Sequence, residues 1–348
     1  MIIAGVMSGS SLDGLDVSLI QFDKDIKWNQ LHVNHIAYSQ VWEKKLKNYA
    51  SMSAIEYIAF KAQYSIYIGQ LLSDYIKTIF IDIDFISFHG HTIMHLPQQG
   101  ITEQIGNGGT IAAITNIPTI TDFRVQDVAL GGTGTPLAPL VEKTLFNGFD
   151  YYLNLGGIAN ITHITHNNIV AYDVCPCNQV LNFFSLKLGK PYDQDGLLAR
   201  KGNYVDEIPL ILNKIPFFCD PPPKSIDNNW IQTDIIPKFI KFSPVDVLHT
   251  FCNWIADCIS SQVSDTNEPT TLLATGGGAH NIYFIELLTK KLKTKNCSLI
   301  KPDKDIIDYK EAILMALLGK YYIEGIPNVL SDVTNSSRDN IGGALYKI

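Results

Sequence analysis

The sequence predicts an α/β protein built from two similar units. Three observations carry this: apolar strands alternate with amphipathic helices, polar residues gather at strand ends, and a strand, glycine turn and strand pattern at the start returns from Tyr151 onward. At 348 residues the chain exceeds what one core usually fills, which also favours two domains. A hydrophobic content of 46% and a charged content of 18% describe an ordinary globular protein. The net charge of −7, with no clustered basic face, argues against nucleic acid as a partner. No apolar run approaches bilayer length and the start lacks a basic flank, so neither membrane nor signal peptide is expected. Six scattered cysteines, with Cys175 and Cys177 too close for an ordinary bridge, read as reduced thiols of a cytoplasmic protein.

The chain opens on a strand over 2–6. Leu15, Val17 and Leu19 then alternate with Asp16, Ser18 and Ile20, the pattern of a half-buried strand. Between them, 8–14 is a hairpin tip whose glycines allow close backbone approach. Its amides and Ser8, Ser10 and Ser11 can donate to phosphate, and its carboxylates can hold hydrated magnesium, Asp13 through water. Most such tips are solvated turns, so this feature alone decides little. Ser53-Ala-Ile-Glu56 is a capping box, and helical spacing carries on to near Phe80. A strand over 85–88 delivers His89-Gly-His91, a helix covers 110–114, and a strand over 119–124 ends in charge. Gly131-Gly-Thr-Gly-Thr-Pro136 is a second glycine loop, followed by a helix over 137–146 closed by Gly148.

Strands over 151–155, 158–164 and 169–172 lead to the loop Asp173-Val-Cys-Pro-Cys-Asn178 and a helix over 179–188. The segments 191–196 and 221–224 are irregular and suit a cleft lining. Ser243-Pro244 starts a helix to about Val263, and a buried strand over 271–275 feeds Gly276-Gly-Gly278 and another helix, an arrangement suited to a nucleotide. The last long helix spans 308–324, stopped by Gly325 and Pro327, and 341–345 reads as a strand returning to the first domain.

Taken together, Gly5-Val-Met-Ser-Gly-Ser-Ser-Leu-Asp-Gly14, His89-Gly-His-Thr-Ile93, Gln104-Ile-Gly106, Asp122-Phe-Arg124 with Asp127, Gly131-Gly-Thr-Gly-Thr-Pro136, Asn154-Leu-Gly-Gly-Ile-Ala-Asn160, Tyr192-Asp-Gln-Asp-Gly196, Pro223-Lys-Ser225 and Gly276-Gly-Gly-Ala279 follow one order. In that order the chain resembles the anhydro-N-acetylmuramic acid kinases from end to end. The resemblance implies two duplicated actin-like ATPase (ribonuclease H-like) domains around a nucleotide and sugar cleft. The expected division is 1–126 plus 329–348 for the first and 127–328 for the second. It implies an ATP-dependent, magnesium-dependent kinase that hydrolyses the 1,6-anhydro ring of a small-molecule sugar, anhydro-N-acetylmuramic acid, and phosphorylates O6. The product feeds peptidoglycan recycling, and the relatives' habit implies a cytoplasmic homodimer.

On this resemblance Gly9, Ser10, Ser11, Leu12, Asp13, Gly14, Leu15 and Asp16 form the ATP-binding loop, and Gly276, Gly277 and Gly278 take the adenosine side. Asp173 matches the family's catalytic base, which deprotonates the attacking water while the γ-phosphoryl group captures the departing oxygen. Glu311 falls where a sugar contact is expected and Thr133 where a substrate contact would be altered, while Asp122 and Arg124, at a strand end before a glycine loop, suit sugar, phosphate or an interdomain ion pair. Glu311 also completes a capping-box pattern with Asp308. Departures from the family are Cys175 and Cys177 for two glycines, His91 for glutamine and Thr133 for glutamine. Glycines held at positive φ would make those cysteines strained. A kinase for another 1,6-anhydro-sugar, or a catalytically altered nucleotide- and sugar-binding paralogue, are the rival readings.

Overall fold

The structure, a computed structural model, describes residues 1–9, 12–165, 169–222 and 224–348. The chain divides into two units, Met1–Asn147 with Tyr309–Ile348, and Gly148–Asp308. In the first, β1 (Ile2–Met7), β2 (Gly14–Phe22) and β3 (Trp28–Ala37) form an antiparallel meander, and β1 pairs in parallel with β4 (Phe85–Phe88). A separate hairpin pairs β5 (His91–Leu96) with β6 (Ile101–Ile105), and β7 (Thr119–Thr121) lies parallel to β4. In the second, β8 (Tyr151–Leu155), β9 (Ile158–Ile164) and β10 (Ile169–Pro176) form the meander. There β8 is parallel to β11 (Thr270–Thr275), which is parallel to β12 (Cys297–Ile300). The chain then returns to the first unit, where β13 (Ala344–Tyr346) pairs antiparallel with β7.

The two sheets therefore run β3-β2-β1-β4-β7-β13 and β10-β9-β8-β11-β12. Each holds a three-stranded meander followed by two parallel strands, the ribonuclease H-like order of actin-like domains, and β13 adds an antiparallel edge to the first. The repeated sequence pattern is thus a repeated architecture.

The first sheet is covered on both faces. Its Leu15, Val17 and Leu19 side packs with Tyr64, Ile68 and Leu72 of the helix Ala54–Ile76. Alternation predicts that the other face is open, yet Ser18 and Ile20 are fully buried as well. That side receives the helix Lys304–Glu324 at Gly5, where an added Cβ would lie 1.9 Å from Ala312 O and 2.6 Å from Ala316 N. Only glycine admits so close a helix.

Local signals set several boundaries. The Ser53/Glu56 capping box forms as expected. Its helix stops at Ile76 rather than near Phe80, because Thr78 Oγ1 and the Thr78 amide both take Tyr75 O and turn the chain. The strand over 119–124 shortens to Thr119–Thr121, since Asp122 adopts φ +66° and the helix Val125–Ala129 follows.

The division between units also differs from 126/127 and 328/329. Buried Asp127 accepts from Thr334 Oγ1 and Asn340 Nδ2, each at 2.9 Å, and from Gly134 N at 2.8 Å. This ties 127–136 to the C-terminal segment, so that stretch belongs to the first unit. No helix among the described residues is long and apolar enough to cross a membrane.

Candidate active site

The β1–β2 hairpin presents the first group of expected residues. Ser10 and Ser11 lie outside the described residues. Gly9 is half-buried, Leu12 takes the left-handed conformation at φ +61°, and Asp13 is exposed, its backbone oxygen held by Tyr38 N at 2.8 Å. Leu15 points into the core and Gly14 starts β2, so these two offer a ligand only backbone. Asp16 accepts from His35 Nδ1 at 2.8 Å. Ser8 departs from the expected role: its hydroxyl is buried among Tyr38, Tyr64 and His91 and cannot reach a phosphate. An exposed carboxylate at the tip, Asp13, fits a magnesium ion held through water, a hard cation that keeps several of its waters.

Behind the hairpin lies a charged group in the same unit. Among the described residues the buried Nε of Arg124 has no partner, and desolvation pulls its pKa down to about 10, opposed by Glu311. Glu311 keeps solvent access, yet the protein mass around it raises its carboxyl pKa. Lys310 and Arg124 oppose the rise and Asp16 adds to it. The helix carrying Glu311 begins at Lys304, four residues before the expected start, so Glu311 is interior and caps nothing. Asp122 accepts from Thr121 Oγ1 at 2.8 Å. His89 donates Nδ1–H to Gly90 O at 2.9 Å, leaving Nε2 a buried acceptor with no partner among the described residues, and burial holds its pKa near 3. Arg124 Nε and His89 Nε2 are thus an orphaned donor and an orphaned acceptor. Buried polar atoms in this state are what a ligand satisfies. Thr133 is engaged elsewhere: its hydroxyl donates to Thr135 O at 2.6 Å, inside its own loop.

In the second unit, Asp173 stands on β10 beside a bulge between Asp173 and Cys175. The strand runs on to Pro176, where a loop was expected. Cys177 has φ −129°, and neither cysteine is among the described residues with positive φ, so the replaced glycines leave no left-handed strain. Asp173 Oδ2 accepts from Ile226 N at 2.8 Å and Ser225 Oγ at 3.2 Å. Among the described residues Oδ1 has no such partner. Desolvation raises the carboxyl pKa and these two bonds oppose it. This is a carboxylate oriented through one oxygen and available through the other, the geometry of a general base.

The helix after Asp173 is set by the β8–β9 turn: Asn178 N donates to Gly156 O, Gln179 N to Gly157 O, and Asn178 Nδ2 to Leu155 O at 2.9 Å. The same Leu155 seats the Gly276-Gly-Gly278 loop. Gly276 adopts φ +80°, and an added Cβ would lie 2.6 Å from Asn154 Oδ1 and 2.9 Å from the Leu155 backbone. Gly276→Ala should therefore lose about 1–3 kcal/mol of stability and weaken nucleotide binding, measured by denaturant melts and ADP titration calorimetry. Beside the loop opens a groove of about 460 Å³, lined by Ala279, Ile282, Ile285 and Lys290 among others.

Over residues 1–348 the chain matches the family model described as anhydro-N-acetylmuramic acid kinase. The chain belongs to that family. Relatives named anhydro-N-acetylmuramic acid kinase include one from Coxiella burnetii, 31% identical over 98% of this chain and 96% of its own length. Another, from Rhodopseudomonas palustris, is 30% identical over 99% of each. Among solved structures, the activator of 2-hydroxyisocaproyl-CoA dehydratase from Clostridium difficile with bound ADPNP is a distant likeness. It has a TM-score of 0.45 and 13% identity over 94% of this chain and 99% of that one. The ROK hexokinase from Thermus thermophilus has a TM-score of 0.38 and 12% identity, covering 92% and 99%.

For a member of the anhydro-N-acetylmuramic acid kinase family, the unforeseen residues are Ser225 and Ile226, which orient Asp173, and Tyr38 and Tyr64, which enclose Ser8. Pro223-Lys-Ser225 carried a hint of the first pair in its match to the family motif. The tyrosines had no signal, since a buried aromatic, whether just after a strand like Tyr38 or in a helix like Tyr64, normally reads as core.

Proposed function

We propose that the protein is an ATP-dependent kinase that opens the 1,6-anhydro bridge of anhydro-N-acetylmuramic acid and phosphorylates O6, giving N-acetylmuramic acid 6-phosphate for peptidoglycan recycling. The observation that carries this is Asp173, held on Oδ2 and without a hydrogen-bond partner on Oδ1 among the described residues, within a chain of this family. Asp173 takes a proton from water as the water oxygen bonds to C1. The C1–O6 bond breaks, O6 bonds to the γ-phosphorus, and the bond from that phosphorus to ADP breaks. The balance is sugar, water and ATP in, sugar phosphate and ADP out, with the proton on Asp173 released to solvent.

The hairpin tip around Gly9 and Asp13 receives the phosphates through backbone amides, and bound magnesium neutralises their charge. The Gly276 loop and the adjoining groove take the adenosine, the groove's volume lying in the range of small-molecule sites. Arg124, Glu311 and Asp122 contact the sugar, where the orphaned Arg124 Nε gains an acceptor. Thr133 acts by shaping its loop. The protein works in the cytoplasm as a homodimer.

The test is ADP release from purified protein given anhydro-N-acetylmuramic acid, ATP and magnesium, with mass measurement of the product. The product should have gained one water and one phosphoryl group. ADP release with unchanged sugar, or sugar phosphate that still holds its anhydro bridge, sinks the proposal.

A further inference from the structure

Ser8, at the end of β1, closes a hydrogen-bonded ring that nothing in the proposed chemistry uses. Its Oγ lies 2.8 Å from Tyr38 OH, 3.2 Å from Tyr64 OH and 3.1 Å from His91 Nδ1, and the two tyrosine hydroxyls are 2.8 Å apart. All four side chains are buried. Four contacts need four donated protons, and three hydroxyls supply only three. The fourth must come from His91, which therefore carries hydrogen on Nδ1. The count then closes: Tyr64 and His91 donate to Ser8, Ser8 donates to Tyr38, and Tyr38 donates to Tyr64. Burial holds the His91 pKa down to about 4, so the ring is neutral in ordinary buffers.

The ring joins four elements: the end of β1, the residue after β3, the helix Ala54–Ile76 and the start of β5. Tyr38 reaches both legs of the hairpin, its hydroxyl at Ser8 and its amide on Asp13 O at 2.8 Å. We propose that His91 is a positioning residue for the phosphate-binding hairpin, its Nδ1–H completing the ring that fixes the backbone from which the tip departs. This rests on the reading of that tip as the phosphate site. A glutamine at this position can donate through its amide, so it keeps the donor while changing its shape.

The decisive measurements are the His91 tautomer and the kinetics of two variants. Long-range nitrogen–proton correlations on ¹⁵N-labelled wild type should report Nδ1–H; the Nε2–H tautomer overturns the inference. His91→Phe removes one of the two donors to buried Ser8 Oγ, which keeps Tyr64 and Tyr38, and should raise KM for ATP about tenfold, with kcat and the sugar KM near wild type. His91→Gln should restore most of that loss, which a purely structural role would not produce. A folded His91→Phe with the wild-type ATP KM overturns the inference. If His91→Phe does not fold, the tautomer and Tyr38→Phe, for which the same KM rise is expected, decide. Should the wild type fail to turn over the sugar, the kinase reading falls separately, and ADP titration of the same variants decides the role of His91.

Discussion

Asp173→Asn should lower turnover of anhydro-N-acetylmuramic acid by roughly 10²–10⁴-fold while leaving nucleotide affinity unchanged. The asparagine carbonyl can still accept from Ile226 N and Ser225 Oγ, so the side chain keeps its place but cannot take a proton. Desolvation raises the Asp173 pKa, which gives the pH dependence its sign. The base works only when ionised, so kcat/KM should fall as pH drops through that raised value, at a higher pH than for a free aspartate. The stability sign is opposite. A carboxyl whose folded pKa lies above its unfolded value holds its proton better when folded, so stability is lost as pH rises through that window. Asparagine escapes this penalty, and the variant's Tm at neutral pH should equal or exceed that of the wild type. Initial rates across pH, with melts of both proteins, separate loss of the base from loss of the fold. Wild-type turnover in Asp173→Asn removes this residue from the chemistry.

How much of this was legible in the sequence depended on how local the cause was. The hairpin, the Ser53/Glu56 cap and the Gly276 turn are set by residues a few positions apart, and they stand where the pattern placed them. The Asp308/Glu311 cap was equally local but illusory. Asp303 O takes the amides of Ile306 and Ile307 and starts the helix earlier, which leaves Asp308 and Glu311 inside it. The strain expected at Cys175 and Cys177 depended on positive φ, which sequence alone does not show and neither residue adopts. Here β10 absorbs the change with a bulge, and burial raises the thiol pKa of both Cys175 and Cys177. Pro223-Lys-Ser225 stood out as a motif, but its contact with Asp173 had no local cause: Ser225 lies 52 residues away, and its placement follows from packing that no periodicity encodes. The same holds for Asp127, whose partners Thr334 and Asn340 redraw the boundary between the units.

Glu142→Ala should destabilise the protein by about 3–5 kcal/mol, the largest stability effect expected of a single charged residue here. Lys310 Nζ lies 2.7 Å from Glu142 Oε1, and the two side chains are 7% and 3% exposed. Removing the carboxylate strands an ammonium group with little access to water. The pair itself contributes less than its rupture costs, because Glu142 Oε2 is buried with no partner among the described residues and desolvation offsets much of the attraction. The double variant Glu142→Leu/Lys310→Met should therefore lie much closer to wild type than Glu142→Ala, a strong coupling in a double-mutant cycle. Chemical denaturation measures all of them, and a loss below about 1 kcal/mol in Glu142→Ala would contradict the argument. The ion pair also bears on function, since Lys310 precedes Glu311 and lowers its pKa. Without Lys310 the Glu311 carboxyl holds its proton to higher pH. The double variant should thus recover stability while its sugar affinity declines with falling pH earlier than in wild type, separating what the pair does for the fold from what it does for the neighbouring carboxylate.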